Sequence, residues 1–159
     1  MKRMLTTALL ALTGFNALAA PVETWSDIPT YDTDSIDEVV QDFVERHEEL
    51  ILTKAEAGYE VSAFVFKCGS TYKTTDPLLH SRKGKGVYRV GTPSGCQKVA
   101  YYHSHPRPPE GYVNYWLSDA DNKLRRQDNL VWYLSSYRWF NSTKMDLTRF
   151  GGRAATTTL

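Results

Sequence analysis

Past its first twenty residues the chain has no apolar run long enough to cross a bilayer, which takes about 20 residues. It also has little charge to spare. The formal net charge is +1, which gives no electrostatic footing for a nucleic-acid partner. No internal repeat is visible, so a repeat architecture is excluded. Cysteine is scarce: Cys68 and Cys96 are the two in the chain, and they do not form a C-x-x-C. A thiolate zinc site is therefore not expected. No cysteine follows the first apolar run, so lipoprotein processing is not expected either.

What is present at the start of the chain reads as an export signal. Lys2 and Arg3 precede an almost unbroken apolar stretch from Met4 to Leu12. Ala17-Leu18-Ala19 then offers a small-x-small cleavage site. The expected cut is after Ala19, because Pro21 disfavours one after Ala20. The apolar run is too short for an anchor. Residues 20–159 suit one compact domain, and without Lys2 and Arg3 the net charge of +1 becomes −1. The expected compartment is the periplasm or the exterior. There an even pair of cysteines reads as a disulfide, Cys68 to Cys96. Closing that loop stabilises by roughly 3–4 kcal/mol in the chain-entropy model.

Residues 20–34 are polar and read as an extended lead-in. Ser35-x-x-Glu38 is a capping box, and Ile36, Val39, Val40, Phe43, Leu50 and Ile51 behind it share one helical face. One helix is expected over 35–55, with His47 on its partly packed surface. After Gly58 the period changes. Tyr59–Lys67 reads as a strand, Tyr72–Thr75 as a short return, and the basic, Pro/Gly-marked stretch 76–86 as a mobile loop. Val87–Val90 and Gln97–His103 read as further strands. Residues 106–117 form a loop with Pro106, Pro108, Pro109 and Gly111. Ser118 then caps a helix to about Gln127. Leu130–Leu134 and Tyr137–Phe140 read as two strands turned by Ser135-Ser136, with a last strand over Met145–Phe150. The tail 151–159 is expected to be disordered. Asn141-Ser142-Thr143 fits the glycosylation pattern.

The sharpest local feature is Tyr101-Tyr102-His103-Ser104-His105-Pro106. Alternation along a strand points His103 and His105 the same way, and two imidazoles so placed can grip one ion. A hydrolytic zinc commonly takes three protein ligands and leaves one position for water. Asp121 is the expected third ligand, one turn into the next helix, with Asp119 as its rival. A general base must accept the proton of the activated water, and Glu60 at the head of the first strand is the candidate. Ser118 offers a hydroxyl to an oxyanion.

Glu60, then His103-Ser104-His105-Pro106, then Ser118-Asp119-Ala120-Asp121, resembles the pattern of JAMM/MPN-type metalloproteases. The likeness extends over Tyr59–Tyr133 and is nearest to bacterial JAMM-like domains of unknown function in exported and toxin-associated proteins. The resemblance implies an α/β chain of the α+β kind, with a curved mixed β-sheet flanked by helices in the cytidine-deaminase-like architecture. It also implies zinc on His103, His105 and Asp121, Glu60 as general base, and Ser118 as oxyanion donor. The chain departs from the family in the longer stretch 106–117 between His105 and Ser118. The function so implied is an exported zinc peptidase or isopeptidase acting on a peptide, protein or peptidoglycan amide. The alternatives are an inactive binding module on the same scaffold and an iron oxygenase with two histidines and a carboxylate.

Overall fold

The computed structural model describes residues 30–80, 90–139, 141–151 and 156–158. The export signal, most of the lead-in, and residues 87–89 of the strand expected up to Val90 lie outside them. Among the described residues eight strands and three helices make a mixed α+β fold. In chain order these are β1 (Thr30–Tyr31), α1 (Ile36–Arg46), α2 (Glu48–Glu56), β2 (Val61–Cys68), β3 (Thr71–Thr74), β4 (Leu78–Leu79), β5 (Cys96–Ser104), α3 (Asp119–Asp128), β6 (Val131–Ser136), β7 (Asp146–Phe150) and β8 (Thr156–Thr158). The sheet runs β1-β3-β2-β5-β6-β7-β8, with β4 beside β3 on the same edge of β2. Among the described strands only β5 and β6 pair in parallel, and the crossover between them carries α3.

Alternation splits the apolar side chains into two cores. Val61, Ala63 and Val65 of β2 join Ala100 and Tyr102 of β5 beneath Val39, Val40, Phe43 and Ile51 of the first two helices. Phe64 and Phe66 of β2 face the other way with Trp132 and Leu134 of β6 and with Leu117. At Val99 one extra residue bulges out of β5, because Val65 pairs with Ala100 and Phe66 with Lys98.

The single helix expected over 35–55 is two. His47 leaves helical geometry at φ −112, ψ 14. Its N–H is shared between the carbonyls of Phe43 and Val44, and its own carbonyl starts α2 at Ile51. Phe43 of α1 and Ile51 of α2 lie on either side of the break, and both are buried in the same core. Ser35 caps α1 as expected, accepting from the Glu38 N–H.

Three more expectations need correction. Ser135-Ser136 is not a turn: both residues end β6, paired with Leu147 and Asp146 of β7, and Tyr137–Trp139 leaves the ladder. Tyr137 turns inward instead, donating to Glu56 (3.0 Å) and carrying the Arg107 guanidinium over its ring at 4.1 Å. Of the loop expected over 76–86, Leu78–Leu79 pairs as β4 and His80 is buried, and residues 81–86 lie outside the described residues. In the tail expected to be disordered, the Thr156–Thr158 backbone pairs with β7 and covers backbone groups that β7 would otherwise leave unpaired at its edge; residues 152–155 and 159 lie outside the described residues.

Cys68 and Cys96 are joined, directly opposed across β2 and β5 with Cα atoms 4.2 Å apart. Among the described residues no helix is long and apolar enough to cross a membrane. The disulfide accords with an oxidising compartment. It clamps the end of the β2–β5 ladder opposite His103, which pairs with Ser62. Reduction, or the Cys68→Ser/Cys96→Ser variant, is expected to cost roughly 2–4 kcal/mol, read as a lowered urea midpoint, while ion binding at His103 and His105 is kept. An unchanged midpoint would contradict this.

Candidate metal centre

β5 sets both histidines. Tyr102 points to the helix-covered core, so His103 points to the opposite face. There it stacks on Tyr101 (centroids 5.5 Å apart) and meets Trp132 edge-on at 5.6 Å. His105 lies just past the strand but keeps its place, because its N–H donates to the Ser135 carbonyl of β6 at 2.9 Å. Both rings are buried. Their Nε2 atoms face each other at 3.2 Å.

The carboxylate comes from α3. Ser118 caps this helix and forms a reciprocal capping box with Asp121. The Ser118 N–H and hydroxyl donate to Asp121 Oδ2 at 2.9 and 2.6 Å. The oxygen so fixed lies 3.7 Å from His103 Nε2 and 3.5 Å from His105 Nε2. Asp119, the rival ligand, is exposed on another side of the helix. Among the described residues His103, His105 and Asp121 are the one group of three or more whose donor atoms converge for a metal ion.

The three atoms pass a simple fit test. With separations of 3.2, 3.5 and 3.7 Å, one point lies about 2.0 Å from all three, the length of Zn–N and Zn–O bonds. The loop 106–117 also prepares His105 for this. Its Nδ1–H donates to the Asn114 carbonyl at 2.6 Å, which fixes the tautomer and leaves the Nε2 lone pair for metal. The Asn114 amide in turn bonds the Pro106 carbonyl. Arg107 ties the head of the loop to Glu56 at the end of α2, with Nε–O distances of 2.7 Å.

No protein-family model, curated protein or solved structure matches this chain. The chemistry of the site therefore has to be read from its own residues.

Burial would raise the Asp121 carboxyl, but hydrogen bonds to His103 and His105 outweigh it and hold the group far below the usual carboxylate range. Burial pushes His103 down. For His105 burial is outweighed by Asp121, the Asn114 carbonyl and Glu60, and the imidazole shifts up. Glu60 lies just ahead of β2, within electrostatic reach of His105 and Asp121. Burial raises its carboxyl, and the nearby Asp121 charge adds to the rise against the pull of His105.

One buried neighbour was not apparent from sequence. His80 Nε2 lies 2.7 Å from Ser62 Oγ, and its N–H donates to the Glu60 carbonyl at 2.8 Å. The local signal was the apolar Leu78-Leu79 inside an otherwise polar stretch. Burial, then the neighbouring His103, lowers the His80 pKa to about 4. An unfolded histidine takes its proton near 6.5. Between these values the unfolded state binds the extra proton, so stability falls as pH drops from about 6.5 to 4. The loss is expected to reach up to roughly 3 kcal/mol at ~1.4 kcal/mol per pH unit, and His80→Gln should remove it. Denaturation midpoints of both proteins across that pH range check this.

Proposed function

We propose that this chain is a zinc-dependent hydrolase of the JAMM/MPN type that acts on a peptide or isopeptide amide outside the cytoplasm. The observation that carries the reading is the convergence of His103, His105 and Asp121 on one point at zinc-bond distance, with an uncommitted carboxylate, Glu60, beside it. Sequence order supports it as well: a glutamate, His-Ser-His-Pro and Ser-x-x-Asp follow one another as in that family. The mixed α+β sheet is compatible with the architecture the family implies.

A bound zinc ion supplies Lewis acidity, lowering the pKa of a water and polarising an amide carbonyl. His103, His105 and Asp121 would hold it. Glu60, its carboxyl pKa raised by burial, would accept the proton of the attacking water and deliver it to the leaving amine. Ser118 holds Asp121 in place with its hydroxyl proton on Asp121 Oδ2, and serving the oxyanion would require that bond to turn away from the carboxylate. Trp132 and Tyr101 shield His103 from bulk water, which strengthens each of these interactions.

The test is metal analysis of protein purified without added metal. About one zinc per chain is expected, and close to none in His103→Ala. An empty native protein would end the proposal. Iron in place of zinc would favour an oxygenase, which uses the same donor set of two histidines and a carboxylate.

A further inference from the structure

A groove of about 280 Å³ opens on the same sheet face as the metal centre. Its floor is Ser136 of β6 and Thr148 of β7, next to Arg138 and Asp146; its walls include Trp116 and Trp139. It begins one residue from the metal centre on two sides. Ser136 follows Ser135, whose carbonyl holds the His105 amide. Tyr115, also in the groove, follows Asn114, whose carbonyl holds the His105 ring.

Four features define what fits there. Trp116 and Trp139 are 57% and 59% exposed, large planar surfaces left to water on two separate segments. The charges are balanced, since Arg138 Nε and Asp146 form an ion pair at 2.8 Å, and a neutral ligand is favoured. The Ser136 hydroxyl is buried and has no hydrogen-bond partner in the protein, so a ligand donor or acceptor would satisfy it. Finally, β6 and β7 are both interior strands. The floor presents side chains only, and an extended peptide cannot add to it as a strand.

A pyranose ring meets all four conditions. Its C–H faces are apolar and slightly positive, which suits the negative face of an indole. Its hydroxyls suit a serine, a threonine and a guanidinium–carboxylate pair. The cavity is just below the roughly 300–1,000 Å³ typical of sites that enclose a whole ligand, as expected for one or two units of a longer chain. We propose that this groove is a saccharide-binding subsite, and, resting on the hydrolase reading, that the amide cleaved next to it is carried on a neutral glycan chain.

The experiment is calorimetric titration with a β-1,4-linked N-acetylglucosamine tetrasaccharide, with an uncharged capped tetra-alanine peptide as comparison. The wild-type protein is expected to bind the saccharide, and Trp116→Ala and Trp139→Ala each to weaken it at least tenfold. Both side chains are more than half exposed, so thermal unfolding of the variants should match the wild type. Asp121→Asn is expected to bind the saccharide unchanged although it loses the metal, which separates failure of this subsite from failure of the hydrolase reading. No saccharide binding by the wild type would overturn the proposal. So would equal binding by both tryptophan variants, or tryptophan-dependent binding of the peptide instead.

Discussion

Glu60→Gln is expected to lower kcat on an amide substrate by roughly 10²–10⁴-fold, the usual worth of a positioned acid–base group, while one zinc per chain is retained. The side chain lies next to the donor set without belonging to it: it is within electrostatic reach of His105 and Asp121, whereas the convergent atoms are those of His103, His105 and Asp121. Glutamine keeps the shape and removes the proton acceptor. A stability change in the opposite direction should accompany the loss. Burial raises the Glu60 carboxyl above its unfolded value, so the folded state binds the proton more tightly. Stability is then lost as pH rises through the unfolded and towards the folded pKa. Near neutral pH the charged group is a cost that glutamine avoids. The variant should therefore unfold at an equal or higher temperature than the wild type in the metal-free state. Turnover equal to wild type with zinc bound would remove Glu60 from the chemistry and favour a binding module on this scaffold.

Asp121→Ala is expected to weaken zinc binding by more than the roughly 10–100-fold that a partner of a metal ligand is worth, because it removes a donor atom outright. It also leaves the buried His103 and His105 facing each other at 3.2 Å without the carboxylate that both approach. Asp119→Ala is the control. That carboxylate is exposed and away from the histidines, and zinc affinity should be unchanged. Competition titration with a chelating dye would measure both. Equal loss in the two variants would indicate a helix effect instead of ligation, since both residues lie in the first turn of α3. Loss in Asp119→Ala alone would move the ligand there.

The elements that carry the site were legible because their signals are local. Alternation in Gln97–His103 predicts a strand and puts His103 and His105 on one side. The observed β5 is Cys96–Ser104, and a single hydrogen bond to Ser135 extends the alternation to His105. Ser118 predicts the start of α3, and its cap is formed. From the cap the position of Asp121 in the first turn follows, and so does its difference from Asp119. The cysteine pair was legible from count and compartment.

Long-range packing decided the rest. Nothing local to His47 signals the break between α1 and α2. Ser135-Ser136 reads as a turn by composition, but pairing with β5 and β7 holds it straight. The tertiary structure alone brings His80 to Ser62, Asn114 to His105 and Arg107 to Glu56. It alone also places Trp116 and Trp139 around one groove next to the metal centre. By itself the sequence determined which residues can bind an ion and which strand and helix carry them, because caps and alternation act over a few residues. The tertiary structure decided that these residues meet, what orients them and what lies beside them, because those contacts join segments that only the folded sheet brings together.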